Sequence, residues 1–263
     1  NFYFGPDAYK AMQFLWAHHD FDDLKLSLLF LNNGIPATTQ TTPFGEVEEQ
    51  SISYSQTFGP YATYSLDDAG LTLAAYYQGG KDGNEDKLRA WYGNVEGYMD
   101  LTDELSARIG YEFLSGTPYD ENEVNHSFTP FYGTNHKFNG FMDYFYVGNH
   151  INNVGLGDIY LKGTYTSGDF SFRADLHVFH AAAEIGPDVS SYLGTEVDLT
   201  AGWSPDENVD LNVGYSQLYP GESMEVLKGG EKEVSHNWAW IMITVKPNFF
   251  TIGEGREQII IAD

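Results

Sequence analysis

The chain has 263 residues, of which 42% are hydrophobic and 16% aromatic, and its 38 acidic against 13 basic side chains give a formal charge of −25. This charge repels polyanions at long range, which excludes nucleic acid as a main partner. No apolar run approaches the ~20 residues that a membrane helix needs, and the lack of cysteine excludes disulfides and thiolate metal sites. No Ser/Pro-rich linker divides the sequence, so residues 1–263 are interpreted as a single domain.

Most of the chain alternates apolar and polar residues, as a β-strand with two different faces does. In the clearest case, Val209, Leu211 and Val213 lie on one face, opposite Asp210 and Asn212. The same pattern predicts eleven strands: Ala11 to His19, Leu24 to Asn33, Ile52 to Tyr64, Leu71 to Gln78, Leu88 to Met99, Leu105 to Leu114, Ile159 to Thr166, Phe170 to Val178, Leu193 to Ser204, Val209 to Tyr219 and Trp238 to Phe250.

The connections between these strands alternate between short and long. The short ones carry Asp, Gly, Ser or Pro turn chemistry: Asp20 to Asp23, Ser65 to Gly70, Asp100 to Glu104, Ser167 to Asp169 and Ser204 to Asn208. The long ones are Gly34 to Ser51, Gly79 to Lys87, Ser115 to Leu156, Ala181 to Tyr192 and Pro220 to Asn237. This pattern predicts an all-β fold, a transmembrane antiparallel up-and-down β-barrel with short periplasmic turns and long extracellular loops.

Charged residues on the polar strand faces are predicted to point into the barrel, because an Arg or Lys on the lipid side costs ~2–4 kcal/mol near the midplane. The predicted lining consists of Arg108, Glu112, Lys162, Arg173, Asp175, Glu196 and Asp198. Such a lining is mixed or slightly acidic and favours cations or neutral solutes.

The stretch from Phe128 to Leu156 does not alternate and is rich in aromatics, Asn, Gly and His. Loops of this length are usually functional or disordered, and this one is too apolar for disorder. One hypothesis is a loop folded into the barrel that narrows the pore and presents Asn135, His136, Lys137, Asn139 and Asp143 to the solute. The other is an extracellular cap packed on itself, and the sequence leaves both open.

No catalytic residue, cofactor or metal site is predicted. The pairs His18/His19 and His177/His180 point to opposite faces of their strands, and no G-x-S-x-G or phosphate-binding loop is present. Glu196 and Asp198 share one face about 7 Å apart, as a glycosidase pair could, but are interpreted as two lumen charges. The run from Asp82 to Asp86 departs from a calcium loop, which leaves only loose divalent-cation binding at acidic loops open.

Several segments together resemble the alginate-export family of outer-membrane porins as found in Bacteroidetes: LLFLNNG (28–34), YSQTFGPY (54–61), YGTNHKFNGFMDYF (132–145), SYLGTEVDL (191–199), MEVLKGG (224–230) and NWAWIMITVKPNFF (237–250). The resemblance implies a monomeric outer-membrane barrel, and the family's named example secretes a polyanionic sugar. Two departures matter: family members carry further strands before the equivalent of Ala8, and residues 251–263 follow Phe250, which normally closes the last strand. Together with the odd count of eleven strands, these departures suggest that N-terminal strands of a larger barrel are missing and that 251–263 are atypical.

The predicted function is passive diffusion of small hydrophilic solutes or saccharides through a water-filled lumen in the cell outer membrane, where lipid and lipopolysaccharide are the surrounding partners. An alginate conduit should be lined with cations, which this lining is not. Two alternatives stay open: a structural or adhesive outer-membrane barrel without transport, and a soluble acidic β-sandwich that binds or cleaves sugars.

Overall fold

The chain folds as an antiparallel up-and-down β-barrel wall. The structure, a computed structural model, describes residues 9–41, 47–131, 136–145 and 153–247. Its elements are β1 (Ala11–Phe21), β2 (Leu24–Thr41), β3 (Val47–Ser65), β4 (Ala69–Lys81), β5 (Lys87–Asp100), β6 (Leu105–Leu114), β7 (Val124–Asn125), β8 (Leu156–Ser167), β9 (Phe170–His180), β10 (Tyr192–Asp206), β11 (Val209–Pro220), α1 (Glu222–Lys228) and β12 (His236–Val245). Every strand except β7 pairs antiparallel with its neighbour in chain order, which confirms the predicted all-β meander. No helix within the described ranges has the length and apolar character to cross a membrane.

The two faces of the sheet are reversed relative to a water-soluble protein. Ile109 and Leu161, which are paired across β6 and β8, are 63% and 51% exposed. On the opposite face Glu196 and Asp198 of β10 are 0% and 1% exposed. Because side chains alternate along a strand, the convex face is apolar along these strands, whereas the concave face carries the charged residues together with some aromatic and aliphatic ones.

Aromatic side chains gather at both ends of the apolar face. Towards the long-loop ends, the rings of Phe58 and Tyr77 lie 5.5 Å apart and those of Tyr77 and Trp91 lie 4.6 Å apart, on three successive strands. Beside the short turns, Phe170 stacks on Trp203 with 6.3 Å between ring centroids. The apolar face therefore has an aliphatic band between two aromatic belts.

The buried apolar core lies at the long-loop end rather than midway along the strands. It joins strand residues such as Leu114, Leu156 and Phe179 to loop residues Phe128 and Phe145. The long loops therefore fold back over the mouth of the barrel and bury their own aromatics there.

The predicted long loops are partly wrong. β2 continues to Thr41 and β3 begins at Val47. Most of the predicted loop Gly34 to Ser51 is therefore a paired ladder of these two strands. Backbone hydrogen bonds form the ladder without the strict apolar alternation on which the strand prediction rested, and β-branched residues such as Ile35 favour strand geometry. The connection Pro220 to Asn237 contains α1, which follows Gly221 and buries Met224, and β7 pairs in parallel with the start of β5.

The sheet has two edges in the part of the chain that the structure describes. There, β1 pairs with β2 and β12 pairs with β11, and each makes no second ladder. The predicted strand residues 248–250 and the predicted atypical segment 251–263 lie outside the described residues.

Candidate functional site

Residues 136–145, which we call the inner segment, cross the concave face of the sheet. His136, Asn139 and Asp143 have positive φ angles of 53°, 43° and 57°, and Gly140 has 82°. Asn and Asp tolerate this left-handed region better than most residues, and Gly adopts it freely. The composition of the segment thus allows a tightly turned path without regular secondary structure.

Asn139 attaches the inner segment to two strands at once. Its Nδ2 donates hydrogen bonds to Oε2 of Glu112 in β6 at 2.6 Å and to Oδ2 of Asp158 in β8 at 3.1 Å. Asn139 is buried, as is Asp158. Hydrogen bonds to charged acceptors are worth about 1.5–3 kcal/mol each, so this side chain is a strong local anchor.

A second anchor lies on β10. The backbone N–H of Met142 donates to Oε1 of Glu196 at 2.9 Å, and Gly140 packs directly against the same carboxylate. Neighbouring Asp198 lies within reach of Glu196 and Ser216, but neither of its carboxylate oxygens makes a well-aligned hydrogen bond within the described residues.

A third set of contacts reaches β12. The ring of His136 stacks on Trp238 with 4.7 Å between centroids, and His136 Nδ1 lies 3.0 Å from Oδ2 of Asp143. The hydroxyl of Tyr144 lies 2.9 Å from Nδ1 of His236, and burial raises the pKa of the Tyr144 phenol. The inner segment is therefore held on strands from both halves of the sheet.

The other inward charges form pairs along the wall. Arg173 donates from Nε to Oδ1 of Asp175 at 2.9 Å, and Arg108 Nη1 lies 2.8 Å from Oε1 of Glu96. Lys162 Nζ lies 4.3 Å above the ring of Tyr160. These pairs leave carboxylates in excess on the concave face.

The structure brings together only some of the residues singled out in the sequence. Glu112, Asn139 and Glu196 meet around the inner segment, and His136 and Asp143 contact each other within it. Arg108 instead pairs with Glu96, and the amine of Lys137 lies 5.4 Å from the ring of Phe138. Asn135 lies outside the described residues.

Sequence reasoning missed three inward polar residues. Glu96 pairs with Arg108, and His177 Nδ1 lies 2.8 Å from Oδ2 of Asp158 with both side chains buried. The same alternation could have found Glu96 and His177, since each shares the polar face of a predicted strand. Asp158 was missed because it precedes the predicted start of its strand at Ile159.

A cavity of about 470 Å³ lies between the inner segment and strands β2 to β6. Its wall carries the aromatic rings of Tyr61, Tyr76 and Tyr92, and its roof includes Phe138 and Asn139. Cavities of ~300–1,000 Å³ with mainly apolar linings are typical of small-molecule sites.

Within the described ranges, no group of three or more His, Asp or Glu side chains converges as a metal site would. Asp82, which begins the run that faintly resembles a calcium loop, uses Oδ1 to accept the backbone N–H groups of Asn84 and Asp86 at 2.9 and 3.0 Å. Its Oδ2 accepts a hydrogen bond from Asn125 at 2.7 Å. This carboxylate caps a turn.

Comparison with known proteins gives likenesses among solved structures. Among solved structures, the NanC porin in its rhombohedral crystal form aligns with a TM-score of 0.42 and 12% sequence identity, over 90% of this chain and 93% of that chain. No family model matches the sequence. No curated protein matches it either.

Proposed function

We propose that this chain forms a channel in the cell outer membrane through which small hydrophilic solutes diffuse passively. The observation that carries the proposal is the reversed sheet, with exposed Ile109 and Leu161 on the convex face and buried Glu196 and Asp198 on the concave face. An apolar exterior is stable in lipid, and an antiparallel barrel satisfies its backbone polar groups within the wall.

The two aromatic belts support the same setting. Tyr and Trp prefer the boundary between hydrocarbon and water, and outer-membrane barrels place aromatic girdles at both boundaries. Phe58, Tyr77 and Trp91 would mark the extracellular boundary, and Phe170 and Trp203 the periplasmic one. The surrounding partners would then be membrane lipid and lipopolysaccharide. A soluble sandwich would bury its apolar strand face instead of exposing it.

The inner segment would act as the constriction of this channel. Its anchors on Glu112, Asp158 and Glu196 hold it inside the concave face, near the long-loop ends of the strands. Of the two hypotheses for the central stretch, these contacts favour the inward-folded loop. Asn139, His136 and Asp143 would narrow the passage together with the wall residues Arg108 and Arg173.

The charges on the inner wall of the barrel bear on the charge of the solute that would pass. Glu96, Asp175 and their neighbours outnumber Arg108, Lys162 and Arg173, which favours cations and neutral solutes over a polyanion such as alginate. We also propose, from the sequence segments, that the chain belongs to the alginate-export family. Even so, the charges of the lining indicate that alginate is not the solute. The role is that of a channel without catalytic residues.

A second candidate is a structural or adhesive barrel that is closed to solute. The observation favouring it is the near-complete burial of Glu196, Asp158 and His177 beneath the inner segment, which leaves less open lumen. In that case the acidic loops would be the functional surface, where divalent cations could bridge to lipopolysaccharide.

Conductance in a planar lipid bilayer separates the two candidates. The wild-type protein, purified in detergent, should give stable single-channel currents in potassium chloride. Asn139→Gly keeps the left-handed backbone but removes the amide that binds Glu112 and Asp158, and it should raise the conductance. Absence of current in both proteins would reject the channel and favour the closed barrel, whereas recovery of the protein in soluble form without detergent would reject both.

A further inference from the structure

We propose that the 470 Å³ cavity beside the inner segment is a binding subsite for an uncharged saccharide and discriminates against sugar acids. This inference rests on the proposed channel function and names the solute class that the channel retains. It concerns the side of the lumen formed by β2 to β6, away from Arg173 and Asp175 of β9, and the ion pair of Arg108 and Glu96 on β6 and β5 is not among its lining residues.

Aromatic rings supply the surface on which a sugar ring would lie. Tyr76 and Tyr92 line the cavity with their ring centroids 5.9 Å apart, and Phe138 of the inner segment also lines it. The apolar C–H face of a pyranose packs on aromatic rings of this kind, while its hydroxyl groups stay directed towards polar partners. The arrangement of ring-bearing walls around a space of this size suits one or two sugar units.

Polar groups with spare hydrogen-bonding capacity lie at the rim of these rings. Asn94 donates to the hydroxyl of Tyr160 at 3.3 Å, which leaves its amide oxygen as an acceptor. The buried hydroxyl of Thr57, which also lines the cavity, makes no hydrogen bond within the described residues. A buried polar group without a hydrogen-bond partner is costly. The hydroxyl groups of a sugar would supply such partners to Thr57 and to the amide oxygen of Asn94.

The charge of the lining decides between neutral and acidic sugars. Among the described residues that line the cavity, Glu112 is the one ionisable acid, and none is Lys, Arg or His. Glu112 is also close to the carboxylate of Asp158, since both accept from the same Asn139 amide. A uronate carboxylate placed here would meet like charge and no cation, which disfavours its binding.

Ligand-observed saturation-transfer NMR on the protein tests this with glucose and glucuronate, which differ at a single carbon. The protein is kept in an amine-oxide detergent, because a glycoside detergent would compete for the same site. Glucose should give a signal at millimolar concentration, and glucuronate should bind at least about tenfold more weakly. Tyr76→Ala should abolish the glucose signal, whereas Trp240→Ala, an inward aromatic of β12 outside the cavity, should retain it.

The Glu112→Gln variant tests the charge argument directly. A glutamine can accept from the Asn139 amide through its oxygen and donate through its NH2 to the hydroxyl oxygen of Tyr92, so the cavity keeps its shape while glucuronate binding rises towards that of glucose. Equal binding of the two ligands by wild-type protein, stronger binding of glucuronate, or absence of glucose binding would each overturn the proposal. Potassium chloride conductance, measured on the same preparations, distinguishes failure of this subsite from failure of the channel itself, because a conducting protein without glucose binding lacks only the subsite.

Discussion

Gly140 lies directly against the carboxylate of Glu196, so that a Cβ atom added at Gly140 would come within 2.5 Å of Oε1. The contact joins the middle of the inner segment to the fifth residue of β10. A side chain at residue 140 would push this carboxylate aside and disturb the hydrogen bond that it accepts from the Met142 N–H.

Gly140→Ala should therefore release the inner segment and raise single-channel conductance. The matched control is Gly229→Ala, since Gly229 also has a positive φ, of 72°, but has no atom within 4 Å of the added Cβ. Both variants carry the backbone strain of a left-handed alanine, about 1–3 kcal/mol. Only the first adds the clash, so equal conductance in the two variants would show that the contact with Glu196 does not hold the constriction.

A charge on the convex face should destabilise the protein in lipid. Leu161→Lys places an amine in the middle of the aliphatic band and should cost ~2–4 kcal/mol of folding free energy in vesicles. Ser106→Lys, on the concave face opposite Asp100, should cost much less. Urea titrations of protein folded into vesicles measure both; a Leu161→Lys effect within ~0.5 kcal/mol would indicate that this face contacts water.

Removing a lumen cation should increase cation preference. Arg108→Gln leaves the carboxylate of Glu96 without its ion pair of 2.8 Å, so the potassium-to-chloride permeability ratio should rise about twofold. Lys232→Gln makes the same change of charge in the loop after α1, where Lys232 pairs with Glu222, and should leave the ratio nearly unchanged. Reversal potentials in a salt gradient provide the measurement, and anion selectivity of the wild type would contradict the assigned lining.

Acid should loosen the loop between β4 and β5. The hydroxyl of Ser51, with help from Lys81, holds the pKa of Glu85 below its ordinary value of 4.5. The pKa of Glu85 is lower in the folded protein than in the unfolded chain. Its ionised form therefore stabilises the fold at a pH above the unfolded-state pKa, and this stabilisation is lost as the pH falls through the folded-state pKa. The protection of the amides of residues 81–87, measured relative to their intrinsic exchange rates at each pH, should therefore decrease below pH 4.5. Ser51→Ala should shift this loss of protection to higher pH. An unchanged pH profile in Ser51→Ala would show that the hydrogen bond does not stabilise the loop.

Much of the wall could be predicted from residue order alone, because the information is local. Val209 to Tyr219 alternates apolar and polar residues, and that alternation fixes both the strand and which of its faces is apolar. The short connections contain turn residues at each hairpin. Elements whose formation depends on long-range packing were missed, namely α1 with its buried Met224 and the two-residue β7.

The sequence by itself determined that this protein is all-β, with eleven alternating strands and an unusual aromatic stretch between residues 128 and 156. Only the tertiary structure decided where the described part of that stretch lies. The partners of Asn139 and Met142 are 27 and 54 residues away along the chain, so no local pattern encodes their meeting. Strand periodicity is a property of neighbouring residues, whereas the position of the inner segment depends on carboxylates of separate strands that the antiparallel meander brings to one face.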